Sequence, residues 1–216
     1  MSERIYLFTR FERFWHWVQA ALIITLLFTG FAIHGSHGLL DFRTAVEVHE
    51  VAAWLLIGLW ILAIFWHFTT GQWKHYLPTL HNLDRMASYY AYGIFTGAPH
   101  PYKVTVERKH NPLQRIAYLG VKLLINPLVW ISGLVYLFWG RVQPLMPDGL
   151  GLQQVAQLHT LGAFLMLAFL IIHVYLATAG HTPLAHIKAM VTGWEDVEDG
   201  RGEGGATATP AAPGRR

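Results

Sequence analysis

Four long apolar stretches constrain this 216-residue chain more than any other feature of its sequence. They cover approximately residues 15–33, 48–68, 116–138 and 155–179. At about 1.5 Å of rise per residue, a helix made from any of them would cross a hydrocarbon core of roughly 30 Å. The composition agrees, because 53% of the residues are hydrophobic and only 13% are charged. The sequence therefore predicts an all-α fold, a transmembrane four-helix bundle.

The segments between and after these stretches suggest one domain with a tail. We assign residues 1–195 to the membrane domain, including a long middle connection over residues 69–112. Part of that connection, residues 83–95, is apolar and is expected either to lie at the membrane interface or to dock a partner. A short helix over residues 183–190 is expected along the membrane surface. Residues 196–216 consist mainly of Gly, Ala, Pro and charged residues, which predicts a disordered tail.

The distribution of Lys and Arg predicts how the chain crosses the membrane. These residues gather before the first stretch, in the middle connection and after the fourth stretch, whereas the other two connections carry only Arg43 and Arg141. The positive-inside rule then places both termini and the middle connection in the cytoplasm, for a multi-pass protein of the cell inner membrane. Lipid is the expected surrounding, and the absence of any base-reading motif argues against nucleic acid as a partner.

The chain contains thirteen histidines and no cysteine. The lack of cysteine excludes disulfides, Cys-ligated iron–sulfur clusters and heme attached covalently through a C-x-x-C-H motif. A histidine inside a membrane helix, by contrast, needs a hydrogen-bond partner, a proton path or a metal. Any heme in this chain would therefore be held non-covalently, with histidine as the available ligand.

Two histidines of the fourth stretch are spaced so that each could ligate a heme. His159 and His173 are fourteen residues apart, close to four helical turns, so both face one side of the helix about 21 Å apart. Each iron would then need a second imidazole from a facing helix at the same depth. His16 lies at the depth of His173, on the cytoplasmic side, and His49 lies at the depth of His159. These depths predict an inner and an outer histidine pair.

Three further polar residues are candidates for contacts near the inner pair. His67 lies about 27 Å from His49 along the second helix, which places it beyond the inner heme plane toward the headgroups. It is interpreted as a propionate or quinone ligand, or alternatively as a solvated interfacial histidine. Lys122, inside the third stretch, either contacts a quinone or propionate or extends along its helix toward water. Asn111, at the cytoplasmic start of the third helix, is a donor for a quinone carbonyl.

Several of these motifs together resemble the bacterial diheme cytochrome b family, which includes membrane subunits of formate dehydrogenase, thiosulfate reductase and nickel–iron hydrogenase. The similarity extends over about residues 5–195. It is carried by Arg-Phe-Trp-His-Trp at 13–17, His49, His-Asn-Pro-Leu-Gln at 110–114, the segment 158–175 and Ala-Met-Val-Thr-Gly at 189–193. The resemblance implies two b hemes, the inner ligated by His16 and His173 and the outer by His49 and His159. It also implies a quinone site near the inner heme, with Asn111 in the position of its polar contact.

The first functional hypothesis is an electron-transfer subunit that links a respiratory redox enzyme to the quinone pool. Its partner would be a catalytic redox subunit or an iron–sulfur or cytochrome electron-transfer subunit. No catalytic metal site for substrate chemistry is visible in the sequence, so the chain is not expected to act on the respiratory substrate by itself. Two alternatives stay open: a histidine-dependent proton or ion transporter, and a heme-free membrane anchor for a peripheral enzyme.

Overall fold

A computed structural model describes residues 2–79, 81–98, 101–102, 109–178, 182 and 184–198. Four of its helices are long and apolar enough to cross a membrane, which confirms the predicted number of spans. We call them the first to fourth spanning helices: Arg10–Ile33, Phe42–Thr70, Pro112–Leu137 and Leu152–Ala177. Large apolar side chains on them, such as those of Ile61 and Phe65, are exposed on the outside. These outward faces suit contact with lipid.

Side-chain caps fix where the spanning helices begin. Thr9 and Glu12 form a capping box at the start of the first helix. The Asp41 carboxylate accepts a hydrogen bond from the Thr44 backbone N–H, at 3.0 Å, at the start of the second. That helix ends at Gly71, whose φ of 74° is a left-handed conformation that glycine adopts without strain. Because these caps set where the first and second helices begin, they also set how far into each helix His16 and His49 lie.

The third spanning helix is irregular near its middle. A π-helical turn, Val121–Ile125, separates the α-helical segments Pro112–Gly120 and Asn126–Leu137. Pro127 follows that turn and has no backbone N–H to donate, which is consistent with an interruption of the helix there. The remaining helical elements are short: Gln72–Tyr76, Leu83–Ser88, Tyr89–Gly93, Ile94–Thr96, Trp139–Val142, Gln143–Leu145 and Ala185–Thr192. Helical elements form over 83–96 and 185–192, and their location at the membrane surface stays a prediction.

A small β-sheet accompanies the predicted helical bundle. Strands Ser2–Tyr6 and Trp194–Glu198 pair in antiparallel register, with Tyr6 opposite Trp194. This sheet was not predicted, because pairing between strands so far apart in the chain leaves no local periodicity. The disordered tail was predicted to begin at residue 196, but that residue lies inside the strand Trp194–Glu198. Residues 199–216, the rest of that predicted tail, lie outside the described residues.

The four spanning helices pack most closely as two antiparallel pairs. The first helix packs against the second, and the third packs against the fourth. Aromatic side chains contact each other between the two pairs, including Trp60 with Trp130 and Phe31 with Phe164. We use "inner end" for the end of the bundle where the first and third helices begin. This arrangement brings the fourth helix opposite both the first and the second.

Candidate functional site

The four histidines predicted to form pairs meet across the interior of the bundle. His16 of the first spanning helix and His173 of the fourth have ring centres 6.2 Å apart. His49 of the second helix and His159 of the fourth have the same separation, 6.2 Å. The structure thus brings together the partners that helix depth predicted. We call them the inner pair and the outer pair.

The spacing of both pairs fits one metal ion held between two imidazoles. Bonds from imidazole nitrogen to a metal are about 2 Å long, so two rings on opposite sides of one iron have centres about 6 Å apart. Both pairs meet this requirement at 6.2 Å. The donor chemistry also fits, because neutral imidazole is a common axial ligand of heme iron.

Hydrogen bonds orient both rings of the outer pair. The Nδ1 atom of His159 lies 3.0 Å from the Val129 carbonyl oxygen, which can only accept, so Nδ1 carries the hydrogen. The Thr29 hydroxyl donates to the Thr25 carbonyl at 2.8 Å, which leaves its oxygen to accept from Nδ1 of His49 at 2.9 Å. In each ring Nε2 therefore keeps its lone pair. Nδ1 bonds of this kind orient metal-ligating histidines in general.

Gly133 of the third helix leaves room for the His159 ring. A Cβ atom at position 133 would lie 3.0 Å from Cε1 and 3.3 Å from Nδ1 of His159. Contacts this short require the ring to move, and they would strain its hydrogen bond to Val129. The glycine therefore belongs to the outer site although it contributes no side chain.

Ring packing surrounds the inner pair. Phe169 stacks on His173 with ring centres 5.6 Å apart, and the Tyr118 ring lies 6.3 Å from His173. The Nδ1 atom of His16 is buried and has no hydrogen-bond partner among the described residues. Aromatic side chains thus pack around the His173 ring, whereas the Nδ1 atom of His16 has no hydrogen bond within the described part of the chain.

His67 is buried, and this corrects its alternative interpretation as a solvated interfacial histidine. Only 8% of the residue is exposed, so the interpretation as a solvated interfacial histidine is wrong. Its ring lies 5.4 Å from that of Trp15, the neighbour of His16. Its Nδ1 atom donates to the Ala63 carbonyl at 2.6 Å, whereas Nε2 is buried without a partner in the described part of the chain. His67 therefore lies at the inner end of the bundle, against Trp15 and Tyr76, with one ring nitrogen unpartnered among the described residues.

Lys122 reaches back toward the inner end of the bundle. Its ammonium nitrogen lies 3.6 Å from the centre of the Tyr76 ring, a cation–π contact. The same ring lies 5.3 Å from His67. Burial raises the pKa of Tyr76, so its hydroxyl stays protonated at neutral pH. Lys122 thus extends along its helix, as one of its two interpretations predicted, but ends on an aromatic ring beside His67.

Asn111, the predicted quinone contact, caps the third spanning helix. Its side-chain oxygen accepts from the Gln114 backbone N–H at 2.8 Å, and its amide donates to the Tyr90 hydroxyl at 3.2 Å. Burial raises the pKa of Tyr90, which keeps that hydroxyl neutral. A quinone at Asn111 would have to bind the second N–H of an amide whose oxygen and first N–H are already hydrogen-bonded. The quinone role of Asn111 stays a prediction.

A buried ion pair at the inner end was missed by the sequence analysis. The Lys109 ammonium donates to both carboxylate oxygens of Glu12, at 2.8 and 3.0 Å, and the two side chains are 5% and 7% exposed. Lys109 also donates to the Gln72 side chain at 3.4 Å. Together with Gln72, the pair joins the inner ends of the first, second and third spanning helices. The capping box Thr9-x-x-Glu12 was a sequence signal for Glu12, but no local pattern marks Lys109.

The comparison with known proteins decides the family. A family model for prokaryotic cytochrome b561 matches residues 7–193, which include all four paired histidines. The chain belongs to this family. A relative from Escherichia coli (strain K12), provisionally named cytochrome YdhU, is 34% identical over 199 residues, or 89% of this chain and 75% of its own length. No solved structure matches the chain significantly.

Membership in the prokaryotic cytochrome b561 family establishes the general function. The chain is a membrane electron-transfer protein of this type, and its cofactor is heme b. The family resemblance noted in the sequence motifs is thereby confirmed. The apolar spanning helices agree with it, because they place the histidine pairs inside a membrane-embedded bundle.

Proposed function

We propose that this cytochrome b561 binds two b hemes, an inner one ligated by His16 and His173 and an outer one ligated by His49 and His159. The observation that carries the proposal is the equal ring spacing of 6.2 Å in both pairs. The fourteen-residue interval in the fourth helix separates the two sites by about 21 Å. Bound heme supplies reversible one-electron chemistry at its iron.

Electrons then pass between a respiratory redox subunit and the quinone pool. The histidines hold the cofactors, the apolar bundle keeps water from them, and the Nδ1 hydrogen bonds of His49 and His159 fix the outer ligands. The reaction on the respiratory substrate belongs to a separate partner. That partner is a catalytic redox subunit or an iron–sulfur or cytochrome electron-transfer subunit.

The orientation follows from the distribution of basic residues and has a direct test. We place both termini and the middle connection on the cytoplasmic side of the cell inner membrane, because Lys and Arg concentrate there.

Cysteines introduced singly at Arg85 and at Asp148 should label differently in intact cells with a membrane-impermeant maleimide. We expect reaction at 148 and none at 85. Labelling at 85 from outside would reverse the orientation.

Quinone exchange is assigned to the inner end of the bundle, near His67 and Lys122. Support comes from His67 Nε2 and Trp15 Nε1, both buried without partners among the described residues. The Lys122 ammonium lies on the Tyr76 ring, which is packed against His67. A quinone carbonyl accepts hydrogen bonds, and the hydroxyl of its reduced form donates one. The Lys122 ammonium can donate to the quinone carbonyl, and Nε2 of His67 can accept from the quinol hydroxyl.

Substitutions at these residues test the quinone assignment. Lys122→Met and His67→Phe should each slow quinol-dependent heme reduction at least tenfold, because hydrogen bonds to charged groups contribute about 1.5–3 kcal/mol. Heme spectra should stay unchanged, and the exposed Lys74→Met serves as the matched control. Asn111→Leu completes the panel, with heme content checked because it also removes a cap. Wild-type quinol kinetics in all three variants, with both hemes bound, would place quinone elsewhere.

A further inference from the structure

The surface helix Ala185–Thr192 contacts the first spanning helix on both sides of His16 in sequence. The Arg13 guanidinium donates through Nη1 to the Val191 carbonyl at 2.6 Å, and the Trp17 indole N–H donates to the Met190 carbonyl at 3.1 Å. Carbonyls in the last turn of a helix lack partners within the helix and carry partial negative charge. They are therefore suitable acceptors for a guanidinium and an indole N–H.

Gly193 fixes the end of this surface helix against the chain before the first spanning helix. Its carbonyl accepts from the backbone N–H groups of Leu7 and Phe8, at 2.8 and 3.2 Å. Its φ of 89° is left-handed, and a Cβ atom there would lie 2.7 Å from the Phe8 carbonyl oxygen. Only glycine fits both conditions. Gly193 thereby fixes the position of the Val191 carbonyl. That carbonyl in turn fixes the position of Nη1 in the Arg13 guanidinium.

Arg13 carries a charge that no described residue balances. Arginine stays protonated in proteins, and no carboxylate in the described part of the chain lies within ion-pair distance of Arg13. Its Nε atom is buried and has no hydrogen-bond partner among the described residues. The Nη1 bond to Val191 is by contrast exposed, so this side of the guanidinium is open to an acceptor from outside the polypeptide.

The position of Arg13 identifies which acceptor that is. It precedes His16 by three residues, so the two side chains are neighbours on one face of the helix, with Arg13 one turn nearer the inner end. A heme b held by His16 carries two propionate carboxylates at one edge. Guanidinium is the side-chain group best suited to a carboxylate, since its donors form paired, charge-assisted hydrogen bonds.

We infer that Arg13 binds a propionate carboxylate of the inner heme and that the Val191 carbonyl holds the guanidinium in place for it. This inference rests on the proposed ligation of the inner heme by His16 and His173. It gives the surface helix a role in cofactor binding. Removing the positive charge should favour the ferric state, whose iron carries one more positive charge than the ferrous state.

Redox titration of both hemes in the purified full chain tests the inference, with Arg13→Gln, Arg13→Lys and the exposed Arg10→Gln as a control. In Arg13→Gln we expect the inner-heme potential to fall, with a change of about tenfold in the one-electron equilibrium constant, or 59 mV. Arg13→Lys should shift it less, and Arg10→Gln should leave it unchanged. The outer heme should keep its potential in all three variants.

Two results would overturn the inference. One is wild-type inner-heme potential in both Arg13→Gln and Arg13→Lys with two hemes bound. The other is an equal shift in Arg10→Gln, which would indicate a general effect of surface charge. If Arg13→Gln loses the inner heme, Arg13→Lys supplies the potential measurement. Failure of the underlying ligation is distinguishable, because it would appear as a missing heme in the wild-type chain.

Discussion

Alanine at His16 or His173 is expected to remove the inner heme and leave the outer heme bound. Alanine at His49 or His159 should remove the outer heme and leave the inner heme bound. Each change deletes one of two axial ligands in a pair whose rings are 6.2 Å apart, and the other pair lies about 21 Å away. Heme content should fall from two to one per chain in every case, measured by pyridine hemochrome and by reduced-minus-oxidised spectra.

His67 and His81 provide the controls for this series. His67 is a buried neighbour of the inner pair, whereas His81 is exposed. Alanine at either position should leave two hemes in place. Loss of a heme from His67→Ala together with full retention in His16→Ala would assign the inner ligand to His67 and contradict the pairing.

Lys109→Met is expected to lower the free energy of unfolding by about 3–5 kcal/mol, because it leaves the Glu12 carboxylate buried without its partner. Glu12 is only 5% exposed. The measurement is thermal or denaturant unfolding of the purified protein in detergent. The double variant Glu12→Gln/Lys109→Met should recover part of the loss, since the buried charge is then gone.

An exposed ion pair in the same chain offers the matched control. Arg43 and Glu47 are also 2.8 Å apart, but their side chains are 88% and 63% exposed. Arg43→Met should therefore cost less than about 1 kcal/mol. Equal destabilisation by Arg43→Met and Lys109→Met would show that burial of the Glu12–Lys109 pair is not what makes it important.

The sequence was sufficient for the spanning helices and for the histidine pairs. Helices of 20 or more apolar residues give a strong local signal, and a fourteen-residue interval fixes the relative depth of His159 and His173 whatever surrounds them. Helix rise could not show whether His67 is solvated, because its burial depends on the side chains of Trp15 and Tyr76 in other elements. In the structure the second helix continues to Thr70, and His67 lies inside its last turn, packed on Trp15.

Long-range contacts could not be predicted from the sequence, whereas the capping box at Asn111 was a local signal that was overlooked. The strands Ser2–Tyr6 and Trp194–Glu198, and the pair of Glu12 with Lys109, join segments far apart in the chain. Asn111 differs from these cases. Asn-Pro-Leu-Gln at 111–114 has the pattern of a capping box with proline at the first helical position, and the structure shows that box.

The heme content of the purified chain is the most direct test of the central claim that two histidine pairs hold two hemes. Pyridine hemochrome analysis combined with quantitative amino-acid analysis measures heme per polypeptide without assuming any ligand. Two b hemes per chain are predicted, with a low-spin spectrum from bis-histidine ligation. One heme per chain, or none, in protein purified with an intact fold would contradict the claim.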